Sequence, residues 1–587
     1  MSDEPAKLSA VEGVKLESHY LRGTIAAELA NDAPNFDKDT TNVLKHHGTY
    51  EQDDRDRRAE ARAAKVPGGK FFSMMIRSAI PGGRLTSAQL LAQLDLCDQV
   101  GNGTLRITTR QGLQLHGVLK ENLKQVIRGI NESQLTTLAA CGDVKRNVMC
   151  SPAPYKTDPV YDQMQRLADE LTAALNPKTT AYYEIWLTDS ETGEKALAGS
   201  GGPGANGSGG YDVEPIYGQT YLPRKFKIGV SLPGDNSCDV YAQDLGFLAI
   251  CEGGQIVGYN VLVGGSFGVT PSADKTFAAI GQEMCYVPAS QAVDIAIAVV
   301  KVQRDFGNRS DRKVARMKYL IHNWGLDRFT SKVEEYFGAP LEAPRDAPVT
   351  GYNDCMGWHE QGDGRWFYGL NVENGRIKDE GDFRLKSALR EVCQTLAPPL
   401  RLTPHQSAIF CDIQPQDRDK LESILRSHGV PLSDQFSTVR RWSMACPALP
   451  LCGLAVTESE RVMPGIMDQL EPKIAALGLQ DEVFTTRMTG CPNGCARPYN
   501  ADIGLVGKTK GKFTIFLGGH TLGHRLNWIY KDLVPEDQVV DELTAVLRVF
   551  ASERSPGETL GDFCHRVGKD ELIAMCEAEP VGPNVQA

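Results

Sequence analysis

No stretch of the sequence approaches the ~18 consecutive apolar residues that a membrane-spanning helix needs. The best run, residues 293–302, is short and is interrupted by Asp294 and Lys301. The opening MSDEPAKLSAVEG lacks a basic segment followed by an apolar core, so no secretory leader is expected and a cytoplasmic chain is. Basic excess is missing too. With 63 Lys and Arg against 74 Asp and Glu, the formal net charge is −11, which argues against non-specific nucleic-acid binding. A local basic pocket inside that acidic envelope is still compatible with these numbers. Cysteine is sparse: 15 residues, an odd number, spread over 587 positions. That density excludes the crowded disulfide framework of a small secreted domain. Cys97, Cys141, Cys238, Cys251, Cys285, Cys355, Cys393 and Cys411 read as buried small hydrophobes, and Cys564 and Cys576 look equally ordinary. A dinucleotide-binding fingerprint is also lacking. The glycine-rich segment at residues 199–210, GSGGPGANGSGG, has no strand–turn–helix context and reads as a flexible loop rather than an element.

What remains is an ordinary globular composition, 41% hydrophobic and 23% charged, on a chain long enough for three or four domains. Its organisation is an internal repeat. Leu105-Arg-Ile-Thr-Thr-Arg-Gln111 matches Leu400-Arg-Leu-Thr-Pro-His-Gln406. Upstream of each lies a similar turn, Gly82-Gly-Arg-Leu85 and Asn374-Gly-Arg-Ile377, followed by a helical stretch at Ser87–Val100 and at residues 383–396. Further on, Asp244-Leu-Gly-Phe247 with Val263-Gly-Gly265 parallels Asp502-Ile-Gly-Leu505 with Leu517-Gly-Gly519. Four landmarks in the same order point to duplication. Residues 226–232 and Lys512–Leu517 read as strands, and Ala292–Phe306 and residues 539–551 as amphipathic helices. The fold class expected is α+β, mixed α/β, with two halves related by a pseudo-twofold and a cofactor between them. Residues 1–67, polar and charged through Asp53-Asp-Arg-Asp-Arg-Arg58, form either an arm packed on the body or a partner, or a solvated tail.

The strongest chemical signal is Cys446-Pro-Ala-Leu-Pro-Leu-Cys452 together with Cys491-Pro-Asn-Gly-Cys495. Four thiolates in two clips suit a cubane iron–sulfur cluster or a tetrahedral metal. Structural zinc usually takes clips with two to four intervening residues, and the first clip here has five. Pro447, Pro492, Asn493 and Gly494 shape loops around a bulky guest and leave backbone N–H groups for cluster sulfides. Cluster ligation is the favoured reading, with structural zinc and plain core thiols as alternatives.

The two clips, the second within Thr489-Gly-Cys-Pro-Asn-Gly-Cys-Ala-Arg497, resemble the siroheme and 4Fe–4S signature of the sulfite/nitrite reductase family. The resemblance runs from Glu17-Ser-His-Tyr-Leu-Arg-Gly-Thr-Ile25 to Gly561-Asp-Phe563. It implies two ferredoxin-like repeats and two siroheme/Fe–S domains: an N-terminal arm at 1–67, repeat one at 68–135, the siroheme and substrate domain at 136–345, repeat two at 346–430, and the 4Fe–4S domain with the C-terminal segment at 431–587. It also implies one siroheme, one 4Fe–4S cluster on Cys446, Cys452, Cys491 and Cys495, and Cys495 as the bridge to the siroheme iron. The glycine-rich insertion after Ala198 is longer than the family pattern.

Siroheme carries eight carboxylates and its substrate is an oxyanion, so fixed positive charge is required. Tyr221-Leu-Pro-Arg-Lys-Phe-Lys227 places Lys225 and Lys227 on one strand face and Arg224 on the other; taken alone, such a run is as compatible with a solvated strand. By resemblance, Lys225, Lys227, Arg77 and Arg146 are the substrate-side cations, and Arg106, Arg110 and Gln111, with Arg224, Gln406 and Asn493, are siroheme contacts. His116 and Cys150 lie in matching segments and read as structural. The implied activity is six-electron reduction of sulfite to hydrogen sulfide, feeding cysteine biosynthesis, with nitrite reduction to ammonia as the nearest alternative. A non-catalytic electron-transfer or zinc-stabilised binding protein would have no need of four converging cations. Lacking a nicotinamide or flavin motif, the chain needs an electron donor. The resemblance implies an NADPH-oxidising flavoprotein, with ferredoxin as the other candidate.

Overall fold

The computed structural model describes residues 7–66, 69–188, 192, 195–201, 214–270 and 272–578. They form two compact units, one made of the described residues up to Ser266 together with Gly281–Ser433, the other of Phe267–Ile280 together with the described residues from Asp434 onward.

Within the first unit, two five-stranded antiparallel sheets share one core. One runs Thr49–Asp53, Phe72–Ser78, Leu113–Val118, Leu105–Ile107, Arg376–Ile377; the other runs Gly357–Glu360, Trp366–Leu370, Ala408–Ile413, Leu400–Leu402, Arg84–Leu85. Each half therefore gives its short Gly-Arg-apolar strand to the sheet of the other. The strands alternate, apart from a bulge between the Met74–Val118 and Ile76–Leu115 pairs. Met74, Ile76, Leu105, Ile107, Leu113 and Leu115 enter the core with helices Ser87–Val100 and Leu123–Glu132, while Arg77, Arg106 and Gln114 take the opposite face. The helix Ser87–Val100 starts on a reciprocal cap. Thr86 Oγ1 accepts from Gln89 N at 3.2 Å and Gln89 Oε1 accepts from Thr86 N at 2.9 Å.

A third sheet in this unit orders Gln282–Pro288, Gln255–Val263, Leu245–Glu252, Ile228–Ser231 and Met149–Cys150. The pairings among its last three strands are parallel and the other two are antiparallel. Helices Val160–Leu175 and Ala292–Phe306 cover it, and Ile228–Ser231 is buried throughout, as a covered parallel strand should be. The second unit repeats this pattern with Ser443–Ala445, Thr486–Thr489, Ile503–Thr509, Lys512–Leu517 and Trp528–Pro535, again two parallel pairings followed by two antiparallel ones. Helices Met463–Ala476 and Val539–Glu553 pack on it. The duplicated mixed α/β fold is thus the observed one.

Several expectations need correction. The stretch 383–396 begins as a two-residue strand, Phe383–Arg384, and the helix is Leu385–Thr395, because Asp379–Glu380 captures the first two residues. The strand expected at 226–232 is limited to Ile228–Ser231, since Leu232 turns back on Asp235. Residues Gly199, Ser200 and Gly201 are not loop but the end of strand Lys195–Gly201, paired with Tyr183–Thr188; residues 202–210 lie outside the described residues. Of the segment read as an arm, the described residues 7–66 pack on their own unit, where Thr49–Asp53 is a sheet edge. Its helix Ala10–Glu17 is pinned by Lys15 Nζ, which donates to Leu222 O at 2.8 Å and lies 2.6 Å from Glu12 and 3.7 Å from Asp143. Cys251, expected inside, is exposed.

Candidate active site

In the first unit, the face of the first sheet turned away from its helices carries Tyr50, Gln52, Arg77, Gln114, His116 and Arg106. Arg77 stands directly across from Gln114, which stands directly across from Arg106. With its amide oxygen toward Arg77, Gln114 accepts from Arg77 Nε at 2.9 Å. His116 Nδ1 meets Gln52 Oε1 at 2.9 Å. Burial first, then Arg106 and Arg77, holds this histidine well below its ordinary range, so it is neutral. Tyr50 Oη, at 3.4 Å, receives Arg146 Nη2, whose Nε donates to Gly142 O at 3.0 Å. Arg77, Arg106 and Arg146 are therefore gathered around one polar face.

Lys225 and Lys227 flank Phe226, which is buried in the core and paired with Lys145. The regular strand begins only at Ile228, so Lys225 and Lys227 precede it, and both are half-buried. The chain is fixed there by four bonds: Arg146 N to Phe226 O at 2.7 Å, Phe226 N to Val144 O at 3.0 Å, Leu245 N to Lys227 O at 3.0 Å and Lys227 N to Asp244 Oδ2 at 2.8 Å. Asp244 is in turn gripped by Arg316 at 2.6 and 3.1 Å. The repeat supplies the same device in the second unit, where Asp502 Oδ2 accepts from Thr485 N at 2.8 Å. Nearby, Asp143 is surrounded by Arg312, Lys15 and Arg224. Burial opposes its charge, yet these cations hold its carboxyl well below the usual range. Arg224 is mostly buried and accompanies Asp143 rather than the two lysines, and burial lowers its pKa.

Sequence reasoning missed Lys318. Its Nζ donates to Ser266 O at 3.1 Å, and burial, then Arg316 and Lys225, brings its pKa down to about 7. Its position on helix Met317–Trp324, far along the chain from the basic run, hid it. Lys145, beside Arg146 in the chain, is instead enclosed in the core, and burial, then Arg110 and Lys178, brings it to about 7.

Three residues expected at the cofactor also hold protein groups. The Gln111 amide donates to Gly82 O, Cys150 O and Leu402 O at 3.1, 3.0 and 2.9 Å and accepts from Cys150 N at 3.1 Å. Gln406 donates to Asn374 O at 3.0 Å. Arg110 donates to Gln243 Oε1, Asn147 O and Ile228 O at 2.7, 2.6 and 3.0 Å. Gln111 and Gln406 brace the turns beside the exchanged strands, where carbonyls left over at short strand ends need donors, whereas Arg110 ties its loop to the third sheet.

The second unit holds the cysteines. Cys446 follows strand Ser443–Ala445 and Cys491 follows Thr486–Thr489, two adjacent parallel strands whose ends deliver both clips to one place. Cys446 and Cys491 are buried, Cys452 is half-buried and Cys495 is exposed. Gly490 N points at Cys446 Sγ and Asn493 Nδ2 at Cys491 Sγ, each at 3.4 Å. The Asn493 side chain is thus directed at a sulfur rather than outward. Burial first, then the neighbouring Cys495, raises the Cys491 thiol to about 11, and Cys446 is raised by burial, Cys495, Cys491 and Cys452. The four sulfurs are therefore close enough to repel one another as thiolates. Yet among the described residues no three His, Cys, Asp or Glu close on one point as a single ion requires. That wider convergence suits a multi-atom cage better than zinc.

The loop backbone fits the same guest. Gly494 has φ +64°, and a Cβ there would lie 2.9 Å from Tyr499 and 3.1 Å from Phe267, so only glycine fits. Tyr499 Oη and Val269 N both donate to Pro492 O, at 3.0 Å each. Two buried arginines adjoin the clips: Arg487 Nη1 reaches Asn500 Oδ1 at 3.0 Å and Arg497 lies against Met444. Their charge favours an anionic iron–thiolate centre. Arg497 was legible in the motif as a residue but not as a buried charge.

The family model described as the nitrite and sulphite reductase 4Fe–4S domain matches residues 141–341 and 437–582, and the nitrite/sulfite reductase ferredoxin-like half domain matches 67–133 and 359–428. The chain is 44% identical to a ferredoxin sulfite reductase of Synechococcus elongatus, over 98% of this chain and 92% of that one. It is 43% identical to an NADPH sulfite reductase hemoprotein beta-component of Staphylococcus haemolyticus, over 97% and 96%. Among solved structures, the Mycobacterium tuberculosis NirA protein aligns with a TM-score of 0.77 at 26% identity, covering 97% of this chain and 98% of that one. With both domain types matched twice over and the cysteine clips in place, the chain belongs to the nitrite and sulphite reductase family.

Proposed function

We propose that this chain is the hemoprotein subunit of an assimilatory sulfite reductase, reducing sulfite to hydrogen sulfide with six electrons and supplying sulfide for cysteine biosynthesis. The observation that carries the reading is the convergence of Cys446, Cys452, Cys491 and Cys495 from two adjacent strand ends. Bound there and through Cys495, a 4Fe–4S cluster and a siroheme would supply electrons in single steps to the substrate sulfur. Cys495 is the exposed member and so the one whose sulfur can be shared with a second iron.

The protein's own side chains do the rest. Arg77, Arg146, Lys225 and Lys227 neutralise the oxyanion, the arginines presenting planar forks and the lysines movable point charges. Tyr50 holds the Arg146 guanidinium, and Asp244 holds the Lys227 backbone. As oxygen leaves, protons are needed near neutral pH, and Lys318 Nζ, poised at about 7 beside Lys225, relays them. The pair Lys225 and Lys227 favours sulfite over nitrite, because a three-oxygen anion engages more cations than a two-oxygen one.

The donor is an external protein. An NADPH-oxidising flavoprotein is favoured over ferredoxin, since this chain's net charge of −11 opposes attraction to an acidic carrier. A flavin-free preparation should reduce sulfite with an artificial one-electron donor and leave NADPH unoxidised. NADPH-driven turnover by that preparation, or no sulfite turnover with any donor in cofactor-loaded protein, would contradict the proposal.

A further inference from the structure

Between helix Lys38–Leu44 and the sheet edge Thr49–Asp53 the chain makes a tight turn, and Lys45 opens it. The turn is held on both sides. Gly48 O accepts from Arg77 N at 2.9 Å, and His46 Nε2 accepts from Asp143 N at 3.1 Å. Lys45 is thereby tied to the segments that carry Arg77 and Arg146. Its Nζ lies 6.0 Å from the centre of the Tyr50 ring, and the hydroxyl of that tyrosine receives Arg146 Nη2 at 3.4 Å. Lys45 and Tyr50 are half-buried and Arg146 is buried, so the three run from the surface inward. We propose that Lys45 is a capture residue, the outer cation that draws the oxyanion in and passes it to Arg146, an assignment that rests on the sulfite reading above.

The surrounding charges suit this role. The Lys45 ammonium donates to a neutral group, Asn42 Oδ1, at 2.8 Å. The Arg146 side chain likewise donates to neutral groups, Gly142 O and Tyr50 Oη. A carboxylate that acts on Lys45 is Asp143, yet both Asp143 oxygens are held by Arg312, at 2.7 and 3.2 Å, with Lys15 at 3.7 Å. Glu12 is taken by Lys15 and Arg309. Among the described residues, Lys45, Arg146 and Arg224 therefore have no carboxylate within ion-pair distance.

Arg312, Arg224 and Arg146 all repel Lys45, and partial burial leaves water little room to screen them. An oxyanion is the guest that relieves this crowding. A fixed positive field at the mouth of a site also speeds anion encounter. A lysine at a helix C-terminus suits the helix dipole as well, but that role alone would show in stability and not in the approach of an anion.

Steady-state sulfite reduction by the full-length, cofactor-loaded protein with an artificial one-electron donor, measured from low to high ionic strength, tests this. Lys45→Gln should lower kcat/KM for sulfite roughly three- to tenfold at low salt, with the loss carried by KM, and should converge on the wild type at high salt. Lys45→Met should match it, and Lys45→Arg, which keeps the charge, should stay near the wild type. Lys420→Gln, the same charge change at an exposed position of helix Arg418–Ser427, should behave as the wild type does. A wild-type kcat/KM at low salt in both charge-removing variants would overturn the assignment. So would a loss that persists at high salt with a matching fall in kcat, a Lys45→Arg variant as slow as Lys45→Gln, or an equal loss in Lys420→Gln, since each marks a structural or whole-molecule effect. A cofactor-loaded wild type that reduces no sulfite would instead bring down the proposed function, and this inference with it.

Discussion

The proposed function concentrates substrate choice at Lys227. Its backbone N–H is held by Asp244, so replacing the side chain removes charge with little disturbance of the backbone. Lys227→Asn should lower kcat/KM for sulfite roughly 10- to 150-fold, equivalent to ~1.5–3 kcal/mol for a lost charge-assisted hydrogen bond, and should lower nitrite turnover far less. Steady-state kinetics with both anions, on protein checked for siroheme and iron, provide the comparison; equal losses would remove Lys227 as the discriminating residue. At this scale the sequence was readable where spacing is tight, as in the two cysteine clips, which follow two adjacent parallel strands. Gln111 and Gln406 are less direct. Both have positive φ, +54° and +64°, and both turn their amides to backbone carbonyls. A polar residue inside a cofactor-like motif looks the same in a sequence whether it faces a ligand or ties two loops together.

At the scale of elements, the exchange of two-residue strands is the feature that assembles the cationic face. The turns that permit it are tight. Gly375 has φ +74° and a Cβ there would fall 2.1 Å from Ile107 O; Gly83 has φ +75° and would meet Leu402 O at 2.3 Å. Gly375→Ala should therefore destabilise the protein by ~2 kcal/mol or more, through both strain and backbone displacement. Thermal or urea denaturation checks this; an unchanged midpoint would mean that the turn relaxes at no cost. The two matching turns were visible in the sequence, and so was the repeat they belong to. Which sheet each short strand would join was not, because two residues carry no alternation pattern and their partners lie in the other half of the duplication.

Across the whole molecule, duplication was legible because both copies keep the same order of landmarks, and the strand topologies of the two larger sheets match as that order implies. The segment 1–67 was harder to read. Its charge leaves a packed arm and a solvated tail equally open, yet the buried Lys15, Glu12 and Asp143 network locks the helix Ala10–Glu17 onto its unit, and long-range ion pairs leave no periodic trace in a sequence. The account as a whole stands on one claim, that the tetrad holds a cluster sharing Cys495 with siroheme. Optical and paramagnetic resonance spectra of the purified wild type, Cys495→Ser and Cys393→Ser measure it directly. The wild type and Cys393→Ser should show siroheme absorption with magnetically coupled cluster and iron, and Cys495→Ser should lose both the coupling and sulfite reduction. A coupled spectrum that survives in Cys495→Ser, or a colourless wild type containing zinc, would contradict it.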